Sequence, residues 1–185
     1  MVLSSAEFSA CRQYRYSLSR IWDPLLPTIA FVGLNPSTAD ENINDATVRR
    51  CIGFAKTWKY GGLILVNLFA FRSTDPVALR KTADPIGPEN DASIIRHCES
   101  AKRVVAAWGT HGCLLDRDEQ VLGFLARPFC LGVTNGGAPK HPLYLAGNTR
   151  LRPYRRSRSA ENILLIGAVI AVLAVSHNVN CPPGC

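Results

Sequence analysis

The sequence predicts an α/β fold, a three-layer α/β/α sandwich around a four-stranded parallel sheet. Four short apolar runs rich in β-branched residues recur through the first 135 residues, and turn-forming residues bound each of them. Each run is almost continuously hydrophobic rather than alternating, which is typical of strands covered on both faces. Helix-compatible stretches separate the runs. A strand, helix, strand order repeated three times predicts right-handed crossovers between parallel strands.

The predicted elements follow one another along the first two thirds of the chain. The strands are expected at residues 28–34, 62–69, 103–108 and 129–133. The helices between them are expected at residues 45–58, 90–101 and 116–126. The first helix opens with Asp45, a residue type that caps helix N-termini, and the last ends near Pro128.

The folded domain is expected at residues 10–154, followed by a basic segment and an apolar tail at 155–185. The chain has 185 residues and is 47% hydrophobic, which is too apolar for a disordered protein. The uncharged run 163–175 is too short for a membrane span, which needs about 20 residues. We therefore expect no membrane contact, and we favour a monomer. The tail is either a native helix or the product of an altered reading frame.

The cysteines and the N-terminus favour a cytoplasmic protein. Seven cysteines stand at irregular spacings, unlike the framework of a disulfide-rich secreted domain. The first residues have neither the basic nor the apolar region of a secretory signal. The chain has no Cys-x-x-Cys pair, and His97 and His111 have no partner at metal-ligand spacing, so we expect no metal and no cofactor.

The loops that leave the carboxyl ends of the predicted strands are the expected ligand site. In open α/β sheets, ligands bind in the crevice beyond these ends. The four loops contain small and polar residues that place backbone and amide groups in one crevice. They lie at residues 33–40, 67–74, 108–112 and 134–142.

The first of these loops resembles that of a known superfamily. The sequence Gly-Leu-Asn-Pro-Ser at 33–37 is similar to the water-activating loop of uracil-DNA glycosylases. A strand ending in Asn67, a strand ending in Trp108 and a His-Pro pair at 141–142 follow in that superfamily's order. Residues 10–154 are also similar to a bacterial and phage family of unknown function, domain family 1643. Its motifs here are Gly-Leu-Asn-Pro-Ser-Thr-Ala-Asp, Thr-Val-Arg-Arg-Cys, Asn-Leu-Phe-Ala-Phe-Arg-Ser-Thr-Asp-Pro and Lys-His-Pro-Leu-Tyr-Leu.

The resemblance implies a uracil-DNA-glycosylase-like fold and a role for each matching residue. Asn35 matches the position that orients the attacking water, and His141 matches the donor that stabilises negative charge on the departing base. Asn67 matches the amide that reads the base edge, since an Asn side chain offers both a donor and an acceptor. A preorganised donor at the base oxygen lowers the barrier to breaking an N-glycosidic bond. The remaining base-binding residues of the first loop are Gly33, Leu34, Pro36 and Ser37.

The charge distribution predicts where an acidic partner binds. Residues 1–119 hold 14 basic and 13 acidic side chains, whereas residues 120–185 hold 7 basic and 1 acidic. Most of the excess lies on or after the His-Pro loop, so we expect DNA phosphates there. A leucine of that loop is the candidate wedge that fills the gap left by a flipped nucleotide. The residues expected to contact nucleic acid are Arg72, Lys140, Leu143, Leu145, Arg150 and Arg152.

These patterns predict a DNA N-glycosylase, with two alternatives. The first alternative is a non-catalytic module that binds nucleic acid, and the second is a hydrolase of free modified nucleotides. Glycosylases carry an aromatic residue shortly after the water loop, but this sequence has none until Phe54. The polar segment 40–50, which includes Asp45, therefore favours a larger or modified base, or a free nucleotide, over uracil. Asn35 and His141 each directly precede a proline, so each is also compatible with an ordinary turn that has no functional role.

Overall fold

The apolar runs form the centre of one mixed sheet in the computed structural model, which describes residues 2–155. In the described residues the sheet has seven strands. They are β1 (Leu3–Phe8), β2 (Arg15–Ile21), β3 (Thr28–Gly33), β4 (Gly62–Asn67), β5 (Arg103–Ala106), β6 (Phe129–Cys130) and β7 (Arg152–Pro153). The spatial order is β1-β2-β4-β3-β5-β6-β7.

The four predicted strands are present, but the prediction of a sheet with four strands, all parallel, is wrong, because the sheet is larger and mixed. Strands β4, β3, β5 and β6 lie side by side and pair in parallel. The hairpin of β1 and β2 adds to the β4 edge in antiparallel orientation, and β7 adds antiparallel to β6. These added strands escape prediction because they lack an apolar run. Strand β2 buries Arg15, Ser17 and Arg20, and most of β1 is exposed.

Three α-helices connect the parallel strands. They are α1 (Ala46–Thr57), α2 (Asn90–Ser100) and α3 (Arg117–Leu122). The predicted cap of α1 is confirmed, because the Asp45 carboxylate accepts a hydrogen bond of 2.8 Å from the Val48 amide. The prediction for the third helix was too long. Leu115 and Asp116 have left-handed φ angles of 57° and 52°, so the segment before α3 forms a 3-10 turn and the helix is short.

Helices cover both faces of the sheet. On one face, Phe31 and Leu65 pack with Val48, Cys51 and Phe54 of α1. On the other face, residues such as Val32 and Val66 pack with α2 and α3, together with Trp108 and Tyr154. Burial on both faces explains why the central strands have continuous apolar sequences.

The described part of the chain ends at Arg155, so most of the predicted basic segment and the whole apolar run 163–175 lie outside it. Within residues 2–155, no helix has the length and apolarity that a membrane span requires. Contacts between Cα atoms group Met1–Arg155 into one unit. The hairpin strand β1, which precedes residue 10, belongs to that unit.

Candidate functional site

A cavity of about 700 Å³ opens at the carboxyl edge of the parallel strands. Gly33 at the end of β3 and Asn67 at the end of β4 are directly paired in the sheet register. Both line the cavity, together with Trp108 and Gly109 just after β5 and with His141. The parallel arrangement thus brings the ends of three strands to one crevice, as expected for an open α/β sheet.

The Asn67 side chain is buried in the cavity wall with an unused donor. It is only 2% exposed, and its Nδ2 has no hydrogen-bond partner among the described residues. Gly33 leaves room for it, because a Cβ at Gly33 would lie 2.6 Å from Asn67 Oδ1. The Asn67 backbone is fixed by Asn90, whose Nδ2 donates to the carbonyl oxygens of Asn67 and Leu68 at 3.1 and 2.9 Å. A buried donor of this kind requires a partner, which a water molecule or a ligand in the cavity can supply.

Asn35 presents an acceptor rather than a donor. Its Nδ2 donates to the carbonyl oxygens of Ser73 and Pro36, at 2.8 and 3.2 Å. The Ser73 amide in turn donates to the Pro36 carbonyl at 2.9 Å, which ties the two loops together. Because both amide hydrogens are engaged, the group that Asn35 offers to a water or ligand is its Oδ1.

His141 is held as a neutral imidazole. Its Nδ1 accepts a hydrogen bond of 3.4 Å from the Leu143 amide, so the neutral ring carries its proton on Nε2. Burial lowers the pKa of His141, and the negative charge of Asp45 opposes this shift in part. At neutral pH the ring therefore offers one N–H donor.

Three charged residues also line the cavity, namely Arg15, Asp45 and Lys140. Sequence reasoning did not assign Arg15 to the site. Arg15 of β2 is 1% exposed, and its Nη1 donates to the Ala39 carbonyl oxygen at 2.6 Å. Burial lowers the pKa of Arg15 to about 10, although the charge of Asp45 raises it. Asp45 stands at the N-terminus of α1 and lines the same cavity. The sequence predicts that Asp45, in the polar segment 40–50, influences which base binds. It gives no sign that Arg15 is buried, because the residues around Arg15 are largely polar.

Aromatic and sulfur side chains complete the cavity wall. Tyr144 is 85% exposed, and its ring centroid lies 5.8 Å from that of His141. Phe31 and Trp108 are buried beneath the cavity, and Trp108 packs edge-to-face on Tyr154. Burial raises the pKa of the Cys51 thiol, which makes it a poor nucleophile. Sequence reasoning did not assign Tyr144 to the site, although it lies in the His-Pro loop.

The match to a protein family agrees with these motifs. A family model described as a protein of unknown function (DUF1643) matches residues 15–143. The chain belongs to this family. No curated protein and no solved structure is significantly similar to the chain. The likeness to uracil-DNA glycosylases therefore stays a prediction from the sequence motifs.

The candidate residues of this DUF1643 member divide into two groups by position. Those that line the cavity are Gly33, Leu34, Asn35, Ser37, Asn67, Lys140, His141 and Leu145. Those that do not line it are Pro36, Arg72, Leu143, Arg150 and Arg152. Pro36 contributes its carbonyl to the Asn35 contact described above. Leu145 packs against the hydrophobic cluster under α1, which is a structural contact.

Most of the predicted basic surface lies outside the cavity, and Lys140 is the member of it that lines the cavity. Lys140, Arg150 and Arg152 are exposed. Arg72 donates to the Arg12 carbonyl oxygen at 3.1 Å and lies over the Phe8 ring. Among the described residues no group of three or more His, Cys, Asp or Glu side chains could hold a metal ion.

Proposed function

We propose that the cavity binds a nucleobase carried by DNA or by a nucleotide, and that the protein hydrolyses its N-glycosidic bond. The observation that carries this proposal is the buried, unpaired Nδ2 of Asn67 in the same cavity as the Nε2–H of His141. Leaving a buried donor unpaired costs about 1–3 kcal/mol. A ligand with an acceptor at this position recovers that free energy, and a nucleobase edge carries such acceptors.

The residues of the cavity supply the parts of a hydrolytic mechanism. Asn35 Oδ1 accepts a hydrogen bond from the attacking water and orients it. The water oxygen bonds to C1′ of the sugar, the bond from C1′ to the base nitrogen breaks, and its electron pair leaves with the base. His141 Nε2–H donates to the base oxygen on which the negative charge collects. The Asp45 carboxylate accepts the proton that the water loses.

The wall of the cavity favours a base other than uracil. The first aromatic residue after the water loop, Phe54, lies on the buried face of α1 and does not line the cavity. The exposed Tyr144 ring stands at the cavity instead, where it can stack on a base face.

Base release tests the proposal directly. Duplex and single-stranded oligonucleotides and free nucleotides bearing uracil, hypoxanthine, xanthine or hypermodified pyrimidines are incubated with the protein. Released base is measured by liquid chromatography, and abasic sites in the oligonucleotides by alkaline cleavage. We expect release from at least one substrate, and a rate at least about 100-fold lower in Asn35→Ala and His141→Ala.

The control for these variants is Asn148→Ala, because Asn148 is exposed and does not line the cavity. It should retain the full rate. The proposal is wrong if no substrate releases its base, or if Asn35→Ala and His141→Ala keep the full rate. Binding of a base without turnover would instead favour the non-catalytic module.

A further inference from the structure

We propose that Arg15 binds the phosphate of the substrate inside the cavity, so that the substrate is a free nucleotide with a terminal phosphate. This inference rests on the proposed function and narrows its substrate class. Arg15 is a guanidinium with almost no exposed surface, and it lines the same cavity as Asn35, Asn67 and His141.

Arg15 lacks the partners that a buried cation requires. Among the described residues no carboxylate forms an ion pair with it. Its Nε is buried without a hydrogen-bond partner, and the bond to the Ala39 carbonyl is a single neutral contact. Burying an ion without compensation is costly, and proteins pair such ions or supply a ligand for them.

Arg117 shows how this chain satisfies a buried arginine elsewhere. It is as buried as Arg15, at 1% exposure. Arg117 forms an ion pair with Asp91 and donates to the Leu68 carbonyl at 2.9 Å and to Gln120 Oε1 at 3.2 Å. Every nitrogen of that side chain has a partner. The contrast identifies Arg15 as a cation whose missing partner enters from the cavity.

The surroundings of Arg15 suit an oxyanion with several acceptors. The positive charges of Arg72 and Arg20 act on Arg15 and disfavour its own charge, while Asp45 and Asp40 favour it. The three arginines exceed the two carboxylates by one charge, so an anion beside Arg15 offsets the remaining positive charge, although Asp45 and Asp40 repel it in part. Ser37 and Thr74 also line the cavity, and their hydroxyl groups are further donors for an anion bound there. A phosphate fits because a guanidinium binds two phosphate oxygens at once.

The burial of Arg15 favours a terminal phosphate over a phosphate within DNA. A phosphate that reaches a side chain with 1% exposure must itself enter the cavity. A phosphodiester inside a strand continues in two directions, and both would have to pass out of the cavity. A cavity of about 700 Å³ lies in the range that encloses whole small ligands, so a nucleoside monophosphate fits inside it.

The first test uses ligands without a base, so that it does not depend on which base is recognised. Binding of ribose 5-phosphate and of ribose is measured by calorimetry and by the shift in thermal unfolding. We expect ribose 5-phosphate to bind and stabilise the protein, and ribose to do neither. In Arg15→Met the affinity for ribose 5-phosphate should fall by about 10- to 100-fold. Arg15→Lys, which keeps the charge but loses the paired donors, should give an intermediate affinity.

The matched control is Arg96→Met, because Arg96 is an exposed arginine of α2 that does not line the cavity. It should bind ribose 5-phosphate like the wild type. The proposal is overturned if ribose 5-phosphate fails to bind the wild type, or binds Arg15→Met equally well. If Arg15→Met does not fold, the comparison of ribose 5-phosphate with ribose on the wild type and on Arg15→Lys decides the question.

The second test separates the two sources of phosphate. Base release is compared between a nucleoside 5′-monophosphate and a single-stranded oligonucleotide that carry the same base. Faster release from the monophosphate supports the proposal, and equal or faster release from the oligonucleotide overturns it. If ribose 5-phosphate binds through Arg15 but no substrate releases its base, the phosphate site stands and the proposed hydrolysis fails.

Discussion

Replacing Gly33 with Ala perturbs the site through a single contact. A Cβ at this position would lie 2.6 Å from Asn67 Oδ1, whereas ordinary contacts begin at 3.4 Å. The Asn67 amide must therefore move by about 0.8 Å, because Gly33 is paired in the centre of the sheet and cannot move easily. Because Asn67 positions the base, a misplacement of about 1 Å is expected to lower the rate of base release by about 100-fold. Packing an extra carbon into a filled interior also costs about 1–3 kcal/mol.

Gly53→Ala is the matched control, since Gly53 lies in α1 and a Cβ there meets no atom within 4 Å. Removing a helical glycine should stabilise this variant by about 1 kcal/mol, because alanine has the higher helix propensity. Urea unfolding gives both changes in stability, and calorimetry gives the affinity for the base that the protein releases. We expect Gly33→Ala to lose stability and affinity, and Gly53→Ala to lose neither. If Gly33→Ala is as stable as the wild type and binds the base equally well, the Asn67 contact is not what shapes the pocket.

Two further predictions concern titration. Burial lowers the pKa of His141 below its usual value of 6.5, so the unfolded chain binds its proton more tightly than the folded one. Stability should therefore fall as the pH drops below about 6.5, and urea unfolding at pH 7.5 and 5.5 should show a smaller fall in His141→Gln. Equal falls in the two proteins would contradict a neutral, partly buried His141 ring. Burial raises the pKa of Cys51 and raises that of Cys98 to about 12. A thiol reagent should label the exposed Cys11 in the folded protein and reach Cys51 and Cys98 only after unfolding, as mapped by peptide mass spectrometry. Rapid native labelling of Cys51 would show that the cavity wall is open there.

The centre of the fold is predictable from sequence because strands that are buried on both faces have continuously apolar sequences. Strands β3 to β5 are apolar at nearly every position, since both faces pack under helices. The cap of α1 is equally readable, because Asp45 directly precedes the helix. The position of the site then follows from parallel pairing, which brings the ends of these strands together.

The outer strands were missed because their sequences do not show burial. Strand β2 reads Arg-Tyr-Ser-Leu-Ser-Arg-Ile, and its polar residues are buried by contacts from distant loops. Strand β1 is an exposed edge, and β7 has only two residues. Elements of this kind depend on tertiary contacts, which single-sequence periodicity does not record.

Part of the candidate site was also predictable from the sequence. Asn35, Asn67 and His141 follow predicted strands or carry family motifs, and all three line one cavity. Arg15 was not predictable, because a buried arginine and a surface arginine look alike in sequence. Its unpaired Nε became visible only when the hydrogen bonds around it were known.

The side-chain amide of Asn67 offers the most direct measurement of the central claim, that this cavity recognises a nucleobase. In protein labelled with ¹⁵N, its NMR signal is assigned by its absence in Asn67→Ser. Nucleotides of uracil, hypoxanthine, xanthine and modified pyrimidines are then added to saturation. The account predicts that at least one of them binds and shifts the Asn67 amide signal, as its unpaired donor gains an acceptor. If every nucleotide that binds leaves this signal unchanged, or none binds, the claim is contradicted.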